Sequence, residues 1–395
     1  MSRSSSARRL LLPLNPAYRL ALALRELRLR LGMEPVRRLR WPVVSVGSLS
    51  AGGAGKTPMT IALAKALSAR GFGVDVLSRG YGRKSREAAR VRPEGAAEEF
   101  GDEPLLIARA TGLPVCVASQ RYEAGRMAEV GAKSSRMVGA SLASGAKAPD
   151  KDGVSMYGLK PVPSHDVLEP IPSNHWLKRA PSNDALEPLP LNDALELDGY
   201  RRVHLLDDGF QHRQLARDVD ILLLNQADWH AHLLPAGNLR EPRKAVRRAS
   251  VIAIPAEEPD LEGELRAWGW QGPIWRLRRK MEIPAIDGPV AAFCGIARPE
   301  QFFRGLESGG MRIAARRAFA DHHRFISREL DGVIAEARAA GAAAVITTEK
   351  DRVRIGALSD RFPKELPLLS AGLRIEIEDE AVGWLVKRLA EIAGA

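Results

Sequence analysis

The stretch "VVSVGSLSAGGAGKTPMTIALAKAL" (Val43 to Leu67) decides how this chain folds. Its first residues are a short apolar run without alternation, the pattern of a strand buried on both faces. Gly52, Gly53 and Gly55 then interrupt it, and a helical pattern begins at about Met59. Strand, glycine-rich turn and helix in that order cradle phosphate, because glycine lets backbone N–H groups approach an anion and a helix start leaves N–H groups free. Gly52, Gly53, Ala54, Gly55, Lys56, Thr57 and Pro58 are therefore the candidate nucleotide-binding residues. Lys56 would neutralise β- and γ-phosphate charge, and the Thr57 hydroxyl would hold Mg²⁺. Pro58 falls in the first helical turn, where a missing N–H costs little. One position departs from the usual pattern: Ser50 stands where a glycine normally opens the loop.

Outward from this loop the same alternation continues. Apolar runs at Val74–Ser78, Leu113–Ser119, Arg202–Asp208, Val219–Asn225 and Ser250–Pro255 are separated by helical patterns. Strands this apolar, spaced by helices, predict a doubly wound α/β fold with a mainly parallel sheet. After about Ile286 a second alternation begins, with strands expected at Pro289–Ala297 and Ala342–Asp351 and helices around Pro299–Ser308 and from about Asp379. The expected division is an N-terminal helix (1–40), a phosphate-loop domain (41–286) and a smaller α/β domain (287–395). Within the middle unit, Gly131 to Asp198 breaks the rhythm. It is rich in Ser, Pro, Ala and Asn and holds a degenerate nine-residue repeat starting at Ser164, Ser173, Ser182 and Leu191. So short a period is no helical solenoid, and it reads as a surface insertion. His165 and His175 within it lack the companions a metal site needs.

At 395 residues, 45% hydrophobic and 27% charged, the chain has the balance of a globular protein with room for two domains. Two cysteines, Cys116 and Cys294, form no disulfide framework and no metal spacing, and suit a reducing environment. The basic excess, 59 Lys+Arg against 48 Asp+Glu, suits nucleic acid, an anionic membrane or a phosphorylated substrate. It gathers at the N-terminus, where Leu10–Gly32 is rich in Leu and Arg and Arg37, Arg38 and Arg40 follow. No run of about 18 apolar residues crosses a bilayer, and Pro13 and Pro16 break any signal-peptide core. From Arg19, Leu20, Leu24, Leu27 and Leu31 share one helical face while Leu22 and Leu29 lie opposite. This is either a helix packed on the domain or one lying in a membrane interface with arginines on acidic headgroups. Basic residues without interleaved aromatics fit lipid better than nucleic acid, so no nucleic-acid partner is expected.

A phosphate loop needs a carboxylate at the end of a neighbouring strand, and "VHLLDDGFQHRQL" (Val203 to Leu215) supplies Asp207 and Asp208. With that motif the ordered set "SVGSLSAGGAGKTP", "LSRGYGR", "GDEP", "LLDDGFQHRQL", "LLPAGNLREP", "FADHHRF" and "TTEKD" is complete. Together they resemble the tetraacyldisaccharide 4'-kinase family of lipid A biosynthesis, over the whole chain except Gly131–Asp198.

The resemblance implies transfer of the γ-phosphate of ATP, with Mg²⁺, to the 4'-hydroxyl of an acylated glucosamine disaccharide 1-phosphate lipid, giving lipid IVA at the cytoplasmic face of the bacterial inner membrane. It favours membrane docking by the N-terminal helix. Catalytic residues would be Asp102, as base or orienting carboxylate, with His322 (rather than His323) as its partner, together with Lys56 and Arg79. The metal would fall to Thr57, Asp207, Asp208 and Glu241, Glu241 alternatively bracing Arg240. Gln211, His212 and Arg240 would line the acceptor or phosphate cleft. Lys350 and Asp351 would either touch adenine or form a strand-end ion pair. Two readings compete: a phosphate-loop NTPase acting on another anionic acceptor, and a nucleotide-switched membrane-binding module. Oligomeric state is not legible.

Overall fold

Thirteen strands assemble into one sheet in the computed structural model, which describes residues 10–144, 196–197 and 200–394. In chain order they are β1 (Val43–Ser48), β2 (Phe72–Ser78), β3 (Ala89–Arg90), β4 (Val115–Val117), β5 (Glu196–Leu197), β6 (Tyr200–Asp207), β7 (Val219–Leu223), β8 (Val251–Pro255), β9 (Ile274–Glu282), β10 (Val290–Cys294), β11 (Ile313–Ala318), β12 (Ala344–Thr348) and β13 (Leu368–Ile377). Their spatial order is β11-β10-β12-β13-β9-β8-β7-β1-β6-β2-β4-β3, with β5 paired to β6. Pairing is parallel except at β13–β9, β3–β4 and β5–β6. Every residue of β1, β7, β8 and β10 is buried, which is why their sequences are mostly apolar, with Ser45, Ser48 and Asp220 as buried polar exceptions.

The helices of more than one turn are α1 (Asn15–Arg30), α2 (Lys56–Ser68), α3 (Asp102–Thr111), α4 (Arg121–Ser144), α5 (Pro259–Ala267), α6 (Pro299–Ser308), α7 (Ser327–Ala339), α8 (Glu349–Ile355) and α9 (Asp379–Gly394). The helix after the phosphate loop, α2, seats Met59, Leu63 and Leu67 in the main core beside Val44, Val46, Val76 and Leu205. The last helix packs back on the first part of the chain: Leu385 and Leu389 join the same core, and Trp384 meets Trp275 edge-on at 6.0 Å.

Five strands were not expected from sequence: the two-residue β3 and β5, and the longer β9, β11 and β13. In β9 ("IWRLRRKME") buried Trp275 and Leu277 alternate with exposed Arg276 and Arg278, β11 has no fully buried residue, and β13 is interrupted by exposed Leu373 and Glu376, so no apolar run marks these three. Two of these, β9 and β13, pair antiparallel from Gly372↔Glu282 to Ile377↔Leu277 and carry the sheet unbroken past residue 286. The strand expected at Ala342–Asp351 ends at Thr348 and becomes a helix, because Thr348 Oγ1 caps it by accepting from the Asp351 N–H at 3.0 Å. Where the insertion is expected from Gly131, helix α4 continues to Ser144. Its repeats, with His165 and His175, lie outside the described residues. Cys116 and Cys294 are both buried free thiols, and burial pushes them up to about 11 and about 12.

Candidate active site

The phosphate loop leaves the C-terminal end of β1, the edge where parallel α/β sheets present ligand sites. Gly52, Gly53 and Gly55 hold φ of +78°, +67° and +81°, the left-handed region open to glycine. Lys56 begins α2, and its Nζ lies 3.3 Å from Ser48 Oγ and 3.4 Å from Asp208 Oδ1. The off-pattern Ser50 has a structural explanation. It is fully buried, and its Oγ donates to Asp228 Oδ2 at 2.7 Å. Asp228 also receives Asn225 Nδ2, Asn238 Nδ2 and Arg298 Nη2, so one buried carboxylate ties the loop to three other segments. Arg298 lies over Gly53, where an added Cβ would sit 2.9 Å from its Nε.

Asp207 and Asp208 end β6 next to this loop. Asp207 accepts from Thr60 Oγ1 at 3.0 Å; burial first, then the negative charges of Glu103 and Asp208, push its carboxyl up to about 7. Asp208 is pushed up by burial too, but Lys56 and Arg240 outweigh this and hold it below its ordinary value. Arg240 Nη1 reaches both Asp208 oxygens, at 3.0 and 2.8 Å. A buried carboxylate destabilised by like charge is what a divalent cation would relieve, and Asp207, Asp208 and Thr57 are the hard oxygen donors Mg²⁺ takes. Among the described residues no three acidic, His or Cys side chains converge on one metal point, so phosphate and water oxygens would complete such a shell. Glu241 pairs with Arg248 at 2.8 Å, so it braces that arginine and not Arg240.

The residues expected to line the acceptor or phosphate cleft gather around the same edge. Gln211 Nε2 donates to Ser48 O at 3.0 Å, and its Oε1 accepts from Arg240 Nη1 at 3.3 Å. His212 is held down to about 4 by burial and then by Arg121, Arg217, Arg25 and Arg79, so it is neutral at neutral pH. Arg79 is exposed at the end of β2. Arg121 was not expected from sequence. It opens α4, is 7% exposed, leaves its Nε without a partner, and drops to about 10 through burial and then Arg79.

A second cluster meets the cleft from the C-terminal part. Asp102 opens α3 and is 5% exposed. His322 Nδ1 stands 3.3 Å from Asp102 Oδ2. The same oxygen accepts from Arg354 Nε at 2.7 Å and lies 2.6 Å from Arg354 Nη2, with Lys350 Nζ 3.8 Å away. Burial alone would raise Asp102; the His322 hydrogen bond, Lys350 and Arg354 reverse that and hold it well below the carboxylate range. Arg354 also donates to Gly295 O at 2.7 Å and to Asp351 Oδ1 at 2.9 Å. Lys350 pairs with Glu103 at 2.8 Å, so the contacts of Lys350 and Asp351 match the ion-pair alternative. His323 turns away, stacked on Phe319 and bonded to Glu329 at 2.8 Å.

Backbone strain marks the same two places. Among the described residues, the non-glycine residues with positive φ are Asp208 (+49°) and His322 (+58°). Such conformations cost about 1–3 kcal/mol and persist where surrounding contacts over-determine them, commonly at functional sites. The His322 loop is clamped by the "SRGYGR" loop: Tyr81 and His322 rings lie 5.3 Å apart, and Arg324 donates to Gly82 O at 3.2 Å.

Comparison with known proteins identifies the family. The family model described as Tetraacyldisaccharide-1-P 4'-kinase matches residues 7–138 and 191–390. The chain is 35% identical over 354 residues to the tetraacyldisaccharide 4'-kinase of Koribacter versatilis, covering 87% of each. It is 36% identical over 365 residues to that of Anaeromyxobacter dehalogenans, covering 86% of this chain and 79% of the relative. A crystal structure of LpxK from Aquifex aeolicus in complex with ATP superposes with a TM-score of 0.62 at 26% identity, over 98% of this chain and 100% of that one. On its motifs, its fold and these matches, the chain belongs to the tetraacyldisaccharide-1-phosphate 4'-kinase family.

Proposed function

We propose that this chain transfers the γ-phosphate of ATP to the 4'-hydroxyl of a tetraacylated glucosamine disaccharide 1-phosphate, forming lipid IVA. The observation that carries the reading is the link between a donor half, Lys56 with Asp207 and Asp208, and an acceptor half, Asp102 with His322: the charge of Glu103, next to Asp102, acts on Asp207, and a Cβ on Gly52 would lie 3.8 Å from the carboxylate of Asp321, next to His322. Bound Mg²⁺ would supply charge neutralisation at the phosphates, held by Thr57, Asp207 and Asp208.

The residues divide the remaining work. Lys56 releases Asp208 and meets phosphate oxygens when nucleotide enters, since both compete for one ammonium. To Arg79, Arg121 and Arg240 we assign the stabilisation of the negative charge that builds in phosphoryl transfer. Asp102, held well below the carboxylate range, is a poor proton acceptor and a good orienting group. With the proton on Nδ1 and donated to Asp102, His322 has Nε2 free to accept the hydroxyl proton; the other tautomer, with Nδ1 accepting from Arg354 at 3.3 Å, does not. We assign the base to His322 and orientation to Asp102. Residues 41–286 then supply the donor site and residues 287–395 the base, and relative movement of the two would open and close the cleft.

The acceptor's acyl chains call for a membrane surface. No described helix is long and apolar enough to cross one. Helix α1 exposes Leu20 (61%), Leu24 (53%), Leu27 (51%) and Leu31 (65%) on one face beside arginines, which supports a helix lying in the interface of the inner membrane's cytoplasmic leaflet. The test is incubation with γ-labelled ATP, Mg²⁺ and the acylated disaccharide 1-phosphate in mixed micelles. Label on the lipid is expected; label released solely as inorganic phosphate would leave an NTPase.

A further inference from the structure

Helix α1 has a second face. Asn15, Tyr18, Leu22, Arg25, Glu26 and Leu29 recur at helical spacing and are half-buried, opposite the exposed leucines. This inner face binds the backbone of the site's loops. Arg25 Nη2 donates to Gln211 O at 2.6 Å, Tyr18 Oη donates to Arg240 O at 2.9 Å, and Glu26 is ion-paired with Arg213. Gln211 and Arg240 are in turn the residues that reach Ser48 O and both oxygens of Asp208.

The chemistry of these contacts asks for a reason. Asp208 sits in a left-handed conformation that its own loop does not favour, and Arg240 sits on a loop of irregular backbone. Two loops of this kind keep one arrangement when outside donors hold their carbonyls. A guanidinium on a carbonyl is a charge-assisted bond, stronger than a neutral one. We propose that Tyr18 and Arg25 are positioning residues: through Arg240 O and Gln211 O they hold the Asp208–Arg240–Gln211 group in register with the phosphate loop, independently of whatever covers the outer leucines. The catalytic consequence rests on the kinase reading above; the positioning itself does not.

The experiment uses the full chain and four variants: Arg25→Ala, Arg25→Lys, Tyr18→Phe and the outer-face double substitution Leu24→Ser with Leu27→Ser. Hydrogen exchange is followed at residues 209–215, where His212 N–H is bonded to Gly209 O at 2.8 Å. Loss of one charge-assisted bond predicts about tenfold faster exchange in Arg25→Ala. Arg25→Lys should restore most of the protection, because a single donor serves the carbonyl. Tyr18→Phe should lower kcat with little change in KM for ATP, and Arg25→Ala should lower it about tenfold. Partition of both onto phosphatidylglycerol/phosphatidylcholine vesicles should match wild type. The outer-face variant should lose vesicle binding and keep slow exchange. Unchanged exchange in Arg25→Ala, or equally fast exchange in the outer-face variant, overturns the proposal. If wild type phosphorylates no acylated disaccharide, the kinase reading falls while the exchange rates still decide the positioning.

Discussion

Replacing Arg354 with methionine is the sharpest perturbation of the acceptor half. The side chain is 7% exposed and its guanidinium contacts two carboxylates that are themselves buried, Asp102 at 6% and Asp351 at 0% side-chain exposure. Four of its contacts lie at 2.6–2.9 Å: two to Asp102, one to Asp351 and one to Gly295 O. Charge-assisted bonds contribute about 1.5–3 kcal/mol each, but they are not additive within one cluster. Lys350 and His322 remain beside Asp102, and Thr348 and the Gly295 N–H remain on Asp351. The expected loss is therefore that of breaking one buried pair, about 3–5 kcal/mol, not the sum of four bonds. Asp102 is depressed in the fold, so its contribution is present above the unfolded carboxylate value of about 3.9 and lost as pH falls through the folded value. Without Arg354 that contribution shrinks at neutral pH, and acid unfolding moves to higher pH. Urea denaturation at neutral pH and an acid titration, each followed by tryptophan fluorescence, measure both effects. A variant within about 1 kcal/mol of wild type would refute the account of Arg354 as the brace of the acceptor half.

Asp207 makes the opposite pH prediction. Its folded pKa is raised, so its stabilising contribution is complete below about 3.9 and is lost as pH rises through about 7. Mg²⁺ with nucleotide should therefore raise the melting temperature more at pH 8 than at pH 5, and Asp207→Asn should flatten that difference in thermal scans. Ser50→Gly restores the usual loop residue yet should destabilise by about 1–3 kcal/mol, because Asp228 loses its 2.7 Å partner; chemical denaturation reads this directly. Leu63→Ala, fully buried in α2, should cost about 2–5 kcal/mol by leaving a cavity in the main core.

Sequence made the donor half legible because its chemistry is local: Gly52 to Thr57 are contiguous, and Asp207 and Asp208 end a plainly apolar strand. The acceptor half was legible in its members, Asp102 and His322, but not in its brace. Arg354 was hidden because "TEKD" looked like a strand end. The signal was present all the same: Thr348 and Asp351 have the spacing of a helix N-cap, which puts Lys350, Asp351 and Arg354 on one turn. The partner of Glu241 was hidden for a related reason, since adjacency to Arg240 says nothing of Arg248. The strands β9, β11 and β13 were missed because polar or exposed residues interrupt their apolar ones, and helix α1 looked imperfectly amphipathic because Leu22 and Leu29 lie on its half-buried face and the other leucines on its exposed one.

The most direct test of the central claim is the position and residue dependence of the new phosphate. Wild type, Asp102→Asn and His322→Gln, each shown to bind ATP and Mg²⁺ equally, are incubated with the tetraacyldisaccharide 1-phosphate, and the product is sequenced by tandem mass spectrometry. Phosphate at the 4' position in wild type, with turnover reduced at least about 100-fold in both variants, is the predicted result. Unchanged turnover in His322→Gln, or phosphate at any other hydroxyl, would contradict the assignment.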